Sequence, residues 1–136
     1  MTIDEKRGYL DQYQECQRKI RCLTNELEKW EHIGQKVNSA IVIGGRRDAK
    51  NSKVERSAVN VVEITEKIKK EIAEATKKRD EIFQSLNDHC KRQRHREILI
   101  MRYIYGMSNS QIAKQIKKDY KSVSYKITAA LKEYEL

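Results

Sequence analysis

The stretch REILIMRYIYGMSNSQIAKQIKKDYKSVSYKITAALKEYEL, Arg96 to Leu136, decides the fold of this chain. It falls into three pieces. Ile98, Leu99, Met101 and Tyr103 form an apolar run that stops at Gly106, a residue that ends helices because it enters the left-handed region without a Cβ penalty. A short helix is expected next, with Ser108 or Asn109 offering a side-chain oxygen to the unpaired N–H groups of its first turn and Ile112, Ala113 and Ile116 on one face. The break falls at Lys117 to Asp119. Asp119 is then the expected N-cap of a last helix whose apolar set, Val123, Ile127, Ala130 and Leu131, packs on one side only. Two helices that cross closely need a small side chain on one and a branched one opposite, which is the spacing of Ala113 and Val123. The pieces together read as a helix-turn-helix. Lys117 stands where glycine is usual in such turns, so either it takes positive φ, at about 1 kcal/mol, or the turn is reshaped.

The other face of the last helix carries Tyr120, Lys121, Ser122, Ser124, Tyr125 and Lys126. With Asp119 as cap, the first five lie in the first two turns, the part of a recognition helix that enters a major groove, where hydroxyl and amino groups reach base edges; Lys126 is expected mainly on phosphate. Ser108 and Asn109 at the start of the preceding helix, Lys118 in the turn and Arg94 ahead of the motif complete the candidate contact set.

These residues also resemble a family. Arg96 to Leu131 is similar, without gaps, to the fourth conserved region of bacterial sigma factors: the Arg102-Tyr103 pair, Gly106 to Ser108, the Ile112-Ala113 pair, Val123 and the closing Ala130-Leu131 carry the likeness. The resemblance implies binding of double-stranded DNA, and host RNA polymerase or a sigma factor as a further partner.

Composition agrees on independent grounds. The 136 residues carry a net charge of +9, and residues 89–136 hold 11 Lys+Arg against 4 Asp+Glu, leaving 18 against 16 for the first 88. Positive charge gathered at one end attracts phosphate and speeds association with nucleic acid, whereas charge kept only for solubility needs no such clustering. Hydrophobic content of 38%, no proline and only 5 glycines favour an elongated all-α chain with long unbroken helices. Charged residues interrupt every apolar stretch well short of the roughly 20 residues of a membrane span, so a cytoplasmic protein without a membrane segment is expected.

Cys16, Cys22 and Cys90 are odd in number and form no C-x-x-C pair, which points to a reducing compartment, with Cys16 a small buried residue on an apolar face. His89, Cys90 and His95 lack the further ligands a zinc site requires, so neither a metal nor a cofactor is expected. No carboxylate dyad, nucleophile with a base, or phosphate loop stands at usable spacing, which argues against an enzyme.

Upstream, Tyr9, Tyr13, Cys16, Ile20, Leu23, Leu27 and Trp30 alternate in steps of four and three until Gly34 interrupts ahead of Val37, the heptad seam of a helix from about Asp4 to Val37, about 50 Å long. A second seam is expected at Ala58, Val61, Thr65, Ile68, Ile72, Ala75, Ile82 and Leu86, widened by Val62, Ile64 and Phe83, with Arg79 intruding at a seam position. Glu63 with Lys67, Glu66 with Lys70 and Glu74 with Lys78 have favourable i, i+4 order. Between the seams, Ser39 to Arg56 with Gly44-Gly45 reads as a loop. The economical arrangement is an antiparallel coiled-coil hairpin over 1–88, a loop near 39–56, and a helix-turn-helix domain over 89–136; a parallel intermolecular coil is the rival. Asp88 is a candidate cap for the next helix.

A coiled-coil hairpin ahead of a sigma-like domain also resembles the small transcriptional regulators of the ArpU type carried by phages and prophages of Gram-positive bacteria, which implies promoter binding. The alternatives weighed are a small-terminase-like DNA-packaging protein, disfavoured because its DNA-binding part usually comes first, and a structural coiled coil with a basic tail, which leaves the motif unexplained. Recognition by a single helix-turn-helix is commonly strengthened by a second copy, so a homodimer joined through the N-terminal helices is expected.

Overall fold

The computed structural model describes residues 1–42 and 47–135, with side chains at 1–35 and 55–135, and every regular element among them is helical. In chain order these are α1 (Ile3–Leu10), α2 (Gln12–Val42), α3 (Arg47–His89), α4 (Gln93–Leu99) running directly into a π-helical turn (Ile100–Ile104), α5 (Asn109–Ile116) and α6 (Tyr120–Glu133). The all-α architecture expected from the heptads and the motif is the one observed, a helical hairpin followed by a helix-turn-helix.

The loop expected over 39–56 is much shorter. Helix α2 continues to Val42 and α3 begins at Arg47, and Gly44-Gly45 lie outside the described residues. The first helix expected from Asp4 to Val37 is instead two, parted at Asp11, with Thr2 capping α1 by accepting from the Glu5 N–H at 3.2 Å.

The chain forms two compact units, Arg18–Glu74 and a second one joining Met1–Gln17 to Ala75–Leu136. The division expected at 88/89 therefore does not follow the compact units, because α1 and the adjoining ends of α2 and α3 are built into the helix-turn-helix.

In the unit Arg18–Glu74, the Ser57 hydroxyl of α3 donates to the Trp30 carbonyl of α2 at 2.8 Å. Trp30 and Ser57 are nearly equidistant from the connection at 43–46, so the two helices run antiparallel there. Gly34 makes room for this contact, since a Cβ on it would lie 2.8 Å from Ser57 Oγ. The α2 seam is as expected, with Ile20, Leu23, Leu27 and Trp30 all half-buried. On α3 the seam is rotated. Ser57 and Ile64 are buried and Val61, Ile68 and Glu71 half-buried, while Ala58, Val62 and Ile72 are exposed. The same register carries into the other unit, where Ala75, Ile82 and Leu86 are buried, Lys78 is half-buried and Arg79 and Phe83 are exposed. Two heptad readings share Val61, Ile68, Ala75 and Ile82; the Ser57 contact selects the one that places Lys78, not Arg79, beside the seam. Among the charges, Glu66 pairs with Lys69 at 3.5 Å and Lys78 with Glu81 at 3.8 Å, both at i, i+3.

The second unit has one continuous core. Leu10, Ile82, Leu86 and Cys90 from the N-terminal part meet Ile98, Leu99, Tyr103, Ile104, Ile112, Ala113, Val123, Ile127, Ala130, Leu131 and Tyr134. Polar contacts between elements tie it together, and those made to backbone carbonyls satisfy groups that a helix end leaves unpaired. Lys6, buried on α1, donates from Nζ to the Leu131 carbonyl in the last turn of α6 at 2.9 Å, where the helix dipole favours a cation. Gln14, on α2, donates from Nε2 to the Tyr103 and Ile104 carbonyls at 3.1 and 3.0 Å. Tyr134, fully buried just past α6, shares a hydrogen bond with the Ser85 hydroxyl, and the Glu135 N–H donates to the His89 carbonyl at 3.3 Å. The chain end is thereby fastened to α3.

Candidate nucleic-acid interface

Helix α4 starts at Arg92, which offers no side-chain cap. Asp88, the candidate from sequence, accepts instead from Gln84 Nε2 at 3.0 Å. The cap comes from the far end of α6: Glu133 Oε1 accepts from the Arg92 N–H at 3.0 Å and Glu133 Oε2 is hydrogen-bonded to His95 Nδ1. Partial burial works to raise the Glu133 pKa, and the bonds from His95 and the Arg92 backbone outweigh it, so the carboxyl sits below its ordinary value. One carboxylate thus closes the ring from the start of α4 to the end of α6.

The apolar run ends as its glycine suggests, with one added feature. The helix widens into the π turn, where the Tyr105 N–H reaches the Ile100 carbonyl at 3.0 Å; Gly106 then adopts φ 67° and the Met107 N–H closes on the Met101 carbonyl at 3.0 Å. The last carbonyls of this turn have no intrahelical donors beyond them, and the Gln14 amide takes those of Tyr103 and Ile104. Arg102 donates to the Met107 carbonyl at 3.3 Å, and burial pushes the Tyr103 hydroxyl's pKa up.

Ser108, not Asn109, caps α5. Its hydroxyl accepts from the Gln111 N–H at 3.2 Å and the Gln111 side chain accepts from the Ser108 N–H at 2.8 Å, a complete capping box. Asn109 is half-buried, and its Oδ1 has no hydrogen-bond partner among the described residues. Lys117 resolves the question of the turn: it sits at φ 57°, ψ 44° in the left-handed region, and the Lys118 N–H closes back on the Ala113 carbonyl at 3.0 Å. Asp119 caps α6, accepting from the Ser122 N–H at 2.7 Å. Ala113 and Val123 are buried in the same core.

With α6 fastened at both ends, its apolar face is fully engaged. Val123, Ala130 and Leu131 are at 0% exposure, whereas Tyr120 and Tyr125 stand 57% and 78% exposed, so the two tyrosines belong to the outer surface and not to the core. Lys121 and Ser124 are exposed with them; Ser122 and Lys126 lie half-buried on the flank. Lys121, Ser122, Tyr125 and Lys126 line a shallow depression along α6 with Asp119 and Ala129. A second, deeper groove of about 390 Å³ between α4, the end of α5 and α6 gathers Arg94, Lys118 and Lys126. Lys126 borders both, so six of the ten residues singled out from the sequence fall on two adjoining surfaces. Tyr120 and Ser124 are exposed on the opposite flank of α6, and Ser108 and Asn109 stand at the start of α5.

The other candidate chemistry is dispersed. Cys90 is buried and burial pushes its thiol's pKa up, Glu133 adding to this and Arg96 opposing; His89 is exposed with its ring edge-on to Tyr134 at 6.5 Å, and His95 is committed to Glu133. Cys16 is half-buried and Cys22 exposed. No cluster of three metal-ligating side chains occurs among the described residues, and no helix among them is long and apolar enough to cross a membrane.

Sequence reasoning missed Lys6, Gln14, Glu133 and Tyr134, which hold the surface in place. Only Glu133 carried a local signal, as an acid at the end of a helix where the dipole disfavours it.

No curated protein and no solved structure matches the chain. Residues 92–133, from the N-cap of α4 to the last residue of α6, match the family model described as Sigma-70, region 4.

Proposed function

We infer that the protein is a sequence-specific transcription regulator that binds promoter DNA as a homodimer, with α6 lying in the major groove. The observation that carries this reading is the outer face of α6. It exposes Tyr120, Lys121, Ser124 and Tyr125 within two turns of a capped N-terminus, on a helix whose opposite face is fully buried. Hydroxyl and ammonium groups in that position suit base edges, while Arg94, Lys118 and Lys126 beside it suit the phosphate backbone. Ser108 and Asn109 lie at an α-helical N-terminus, where backbone N–H groups favour an anion. The order of elements, a helical hairpin followed by this motif, supports a small regulator of the ArpU type found in phages and prophages. Val59 and Val62, exposed on α3, offer apolar surface for the second copy.

Footprinting across the DNA flanking the gene tests the promoter assignment: protection over a promoter supports it, and protection at a packaging site or nowhere refutes it. Within a protected site, Lys121→Ala should weaken binding by about 1–3 kcal/mol if the ammonium reads a base, and weaken all sequences alike if it holds only phosphate. Unchanged binding to both specific and random DNA removes Lys121 from the interface. Sedimentation of the full chain decides the oligomer, a monomer bound one copy per site being the result that overturns the dimer.

A further inference from the structure

The groove between α4, the end of α5 and α6 is more than a row of cations. Its floor is apolar, formed by Ile98, Met101 and Ile116, and its rim carries Arg94, Lys118 and Lys126. His95 also borders it but is held by Glu133, and Glu97, the one carboxylate among the lining residues, accepts from Gln93 Nε2 at 3.2 Å. The volume of about 390 Å³ lies within the range of small-molecule sites. A phosphate of the DNA backbone would engage the rim and leave the floor unused, because a phosphodiester has nothing to place against isoleucine and methionine. We propose that this groove is an effector site for a small amphipathic anion, a carboxylate bearing a short alkyl or aryl group, whose charge is held by Arg94, Lys118 and Lys126 and whose apolar part lies on Ile98, Met101 and Ile116.

The proposal has a regulatory consequence that rests on the DNA-binding reading above. The three rim cations are the ones assigned there to phosphate, so an anion seated among them removes positive charge from the nucleic-acid surface and competes with DNA. Ligand and DNA then weaken each other's binding by the same factor.

A chain-length series tests the site on the intact protein without DNA. Butyrate, hexanoate and octanoate are titrated at constant ionic strength while the methyl resonances of Ile98, Met101 and Ile116 are followed by NMR. Each methylene that leaves water for the floor should tighten binding about fourfold, so octanoate should bind at least tenfold more tightly than butyrate, with saturable shifts at those three methyls. Lys118 is exposed, and Lys118→Glu should weaken octanoate at least fivefold while leaving the methyl spectrum of the folded protein in place. Affinity that does not change with chain length, shifts that do not saturate, or shifts spread over exposed α3 residues such as Val59 and Val62 would overturn the proposal and leave the rim cations to phosphate alone. The DNA arm is read separately. If octanoate saturates the groove and raises the Kd for the footprinted site above that in an equal concentration of chloride, the competition holds; if the Kd is unchanged, the regulatory consequence falls. A protein that binds octanoate in this way but no DNA at all refutes the promoter reading and leaves the site standing.

Discussion

Gln14 lies about ninety residues from the carbonyls it serves, and its replacement should loosen the compact unit that carries α6. Its Nε2 holds the Tyr103 and Ile104 carbonyls at 3.1 and 3.0 Å, on a half-buried side chain. A hydrogen bond of this kind contributes about 0.5–1.5 kcal/mol net, and a carbonyl left dry and unpaired costs about 1–3 kcal/mol. The two possible replacements therefore separate. Gln14→Ala opens space for water to reach the carbonyls and should cost about 1 kcal/mol, whereas Gln14→Leu fills the space, keeps water out and should cost about 2–3 kcal/mol despite being the more apolar residue. Gly106 offers a second handle on the same contact. It sits at φ 67°, and a Cβ there would lie 2.9 Å from Gln14 Oε1, so Gly106→Ala meets both backbone strain and the glutamine. In a Gln14→Ala background the second term is gone, so the cost of Gly106→Ala should fall to the strain of about 1–2 kcal/mol alone. The single tryptophan, Trp30, belongs to the other compact unit, so its fluorescence is the wrong probe. Amide hydrogen exchange at Tyr105 and Met107, whose N–H groups close the π turn, reads the contact directly. Equal protection in wild type, Gln14→Ala and Gln14→Leu would show that the carbonyls are served by water in every case and refute the assignment of Gln14 as their cap.

Lys117→Gly should be neutral or stabilising by up to about 1 kcal/mol, because the native φ of 57° is one that glycine adopts without strain; thermal melts that fall clearly would contradict this. Glu133 has a folded-state pKa below its ordinary value, so its contribution is present above that ordinary value of 4.5 and is lost as pH falls through the lower one. Glu133→Gln should accordingly flatten the acid limb of the stability curve, and an unchanged limb in chemical denaturation from pH 6 down to about 2 would argue that the carboxylate caps nothing. Tyr134 carries the opposite sign: burial pushes its hydroxyl from 10.0 up to about 12, the Ser85 bond opposing, so the stability it contributes is full below pH 10 and is lost as pH rises toward 12. Tyr134→Phe should lose about 1 kcal/mol at neutral pH through the Ser85 bond and show a weaker alkaline loss than wild type, both measurable by urea denaturation across that window.

What could be read from the sequence was whatever is decided within a few residues. Ser108 and Asp119 announce helix starts because a cap and its N–H are three residues apart, and Gly106 announces a stop; the conformation of Lys117 stayed open between positive φ and a reshaped turn, and the structure places it at φ 57°. The α3 seam shows where such reasoning ends. Four residues, Val61, Ile68, Ala75 and Ile82, belong to two heptads, and average hydrophobicity favours the one that holds Ala58 and Ile72, which are exposed, over the one that holds Glu71 and Lys78, which are half-buried. The choice is made by a hydroxyl at Ser57 reaching a carbonyl at Trp30, in the space that Gly34 leaves free, and neither partner is visible in a periodicity. Lys6, Gln14, Glu133 and Tyr134 escaped for the same reason. Each is polar or amphipathic with a partner remote in sequence, Lys6, Gln14 and Glu133 answering unpaired backbone groups at helix ends and Tyr134 the Ser85 hydroxyl, and apart from the acid at the end of α6 none stands out among its neighbours. The consequence for function is that the outer face of α6 was legible while its orientation was not: the direction in which Lys121 and Tyr125 point is set by contacts at both ends of α6, from Asp119 at one and from Lys6, Glu133 and Tyr134 at the other. On the proposed DNA-binding reading, substitutions at those anchors should therefore alter DNA affinity without touching a group on the outer face of α6, and a library scored only on the α6 surface would miss them.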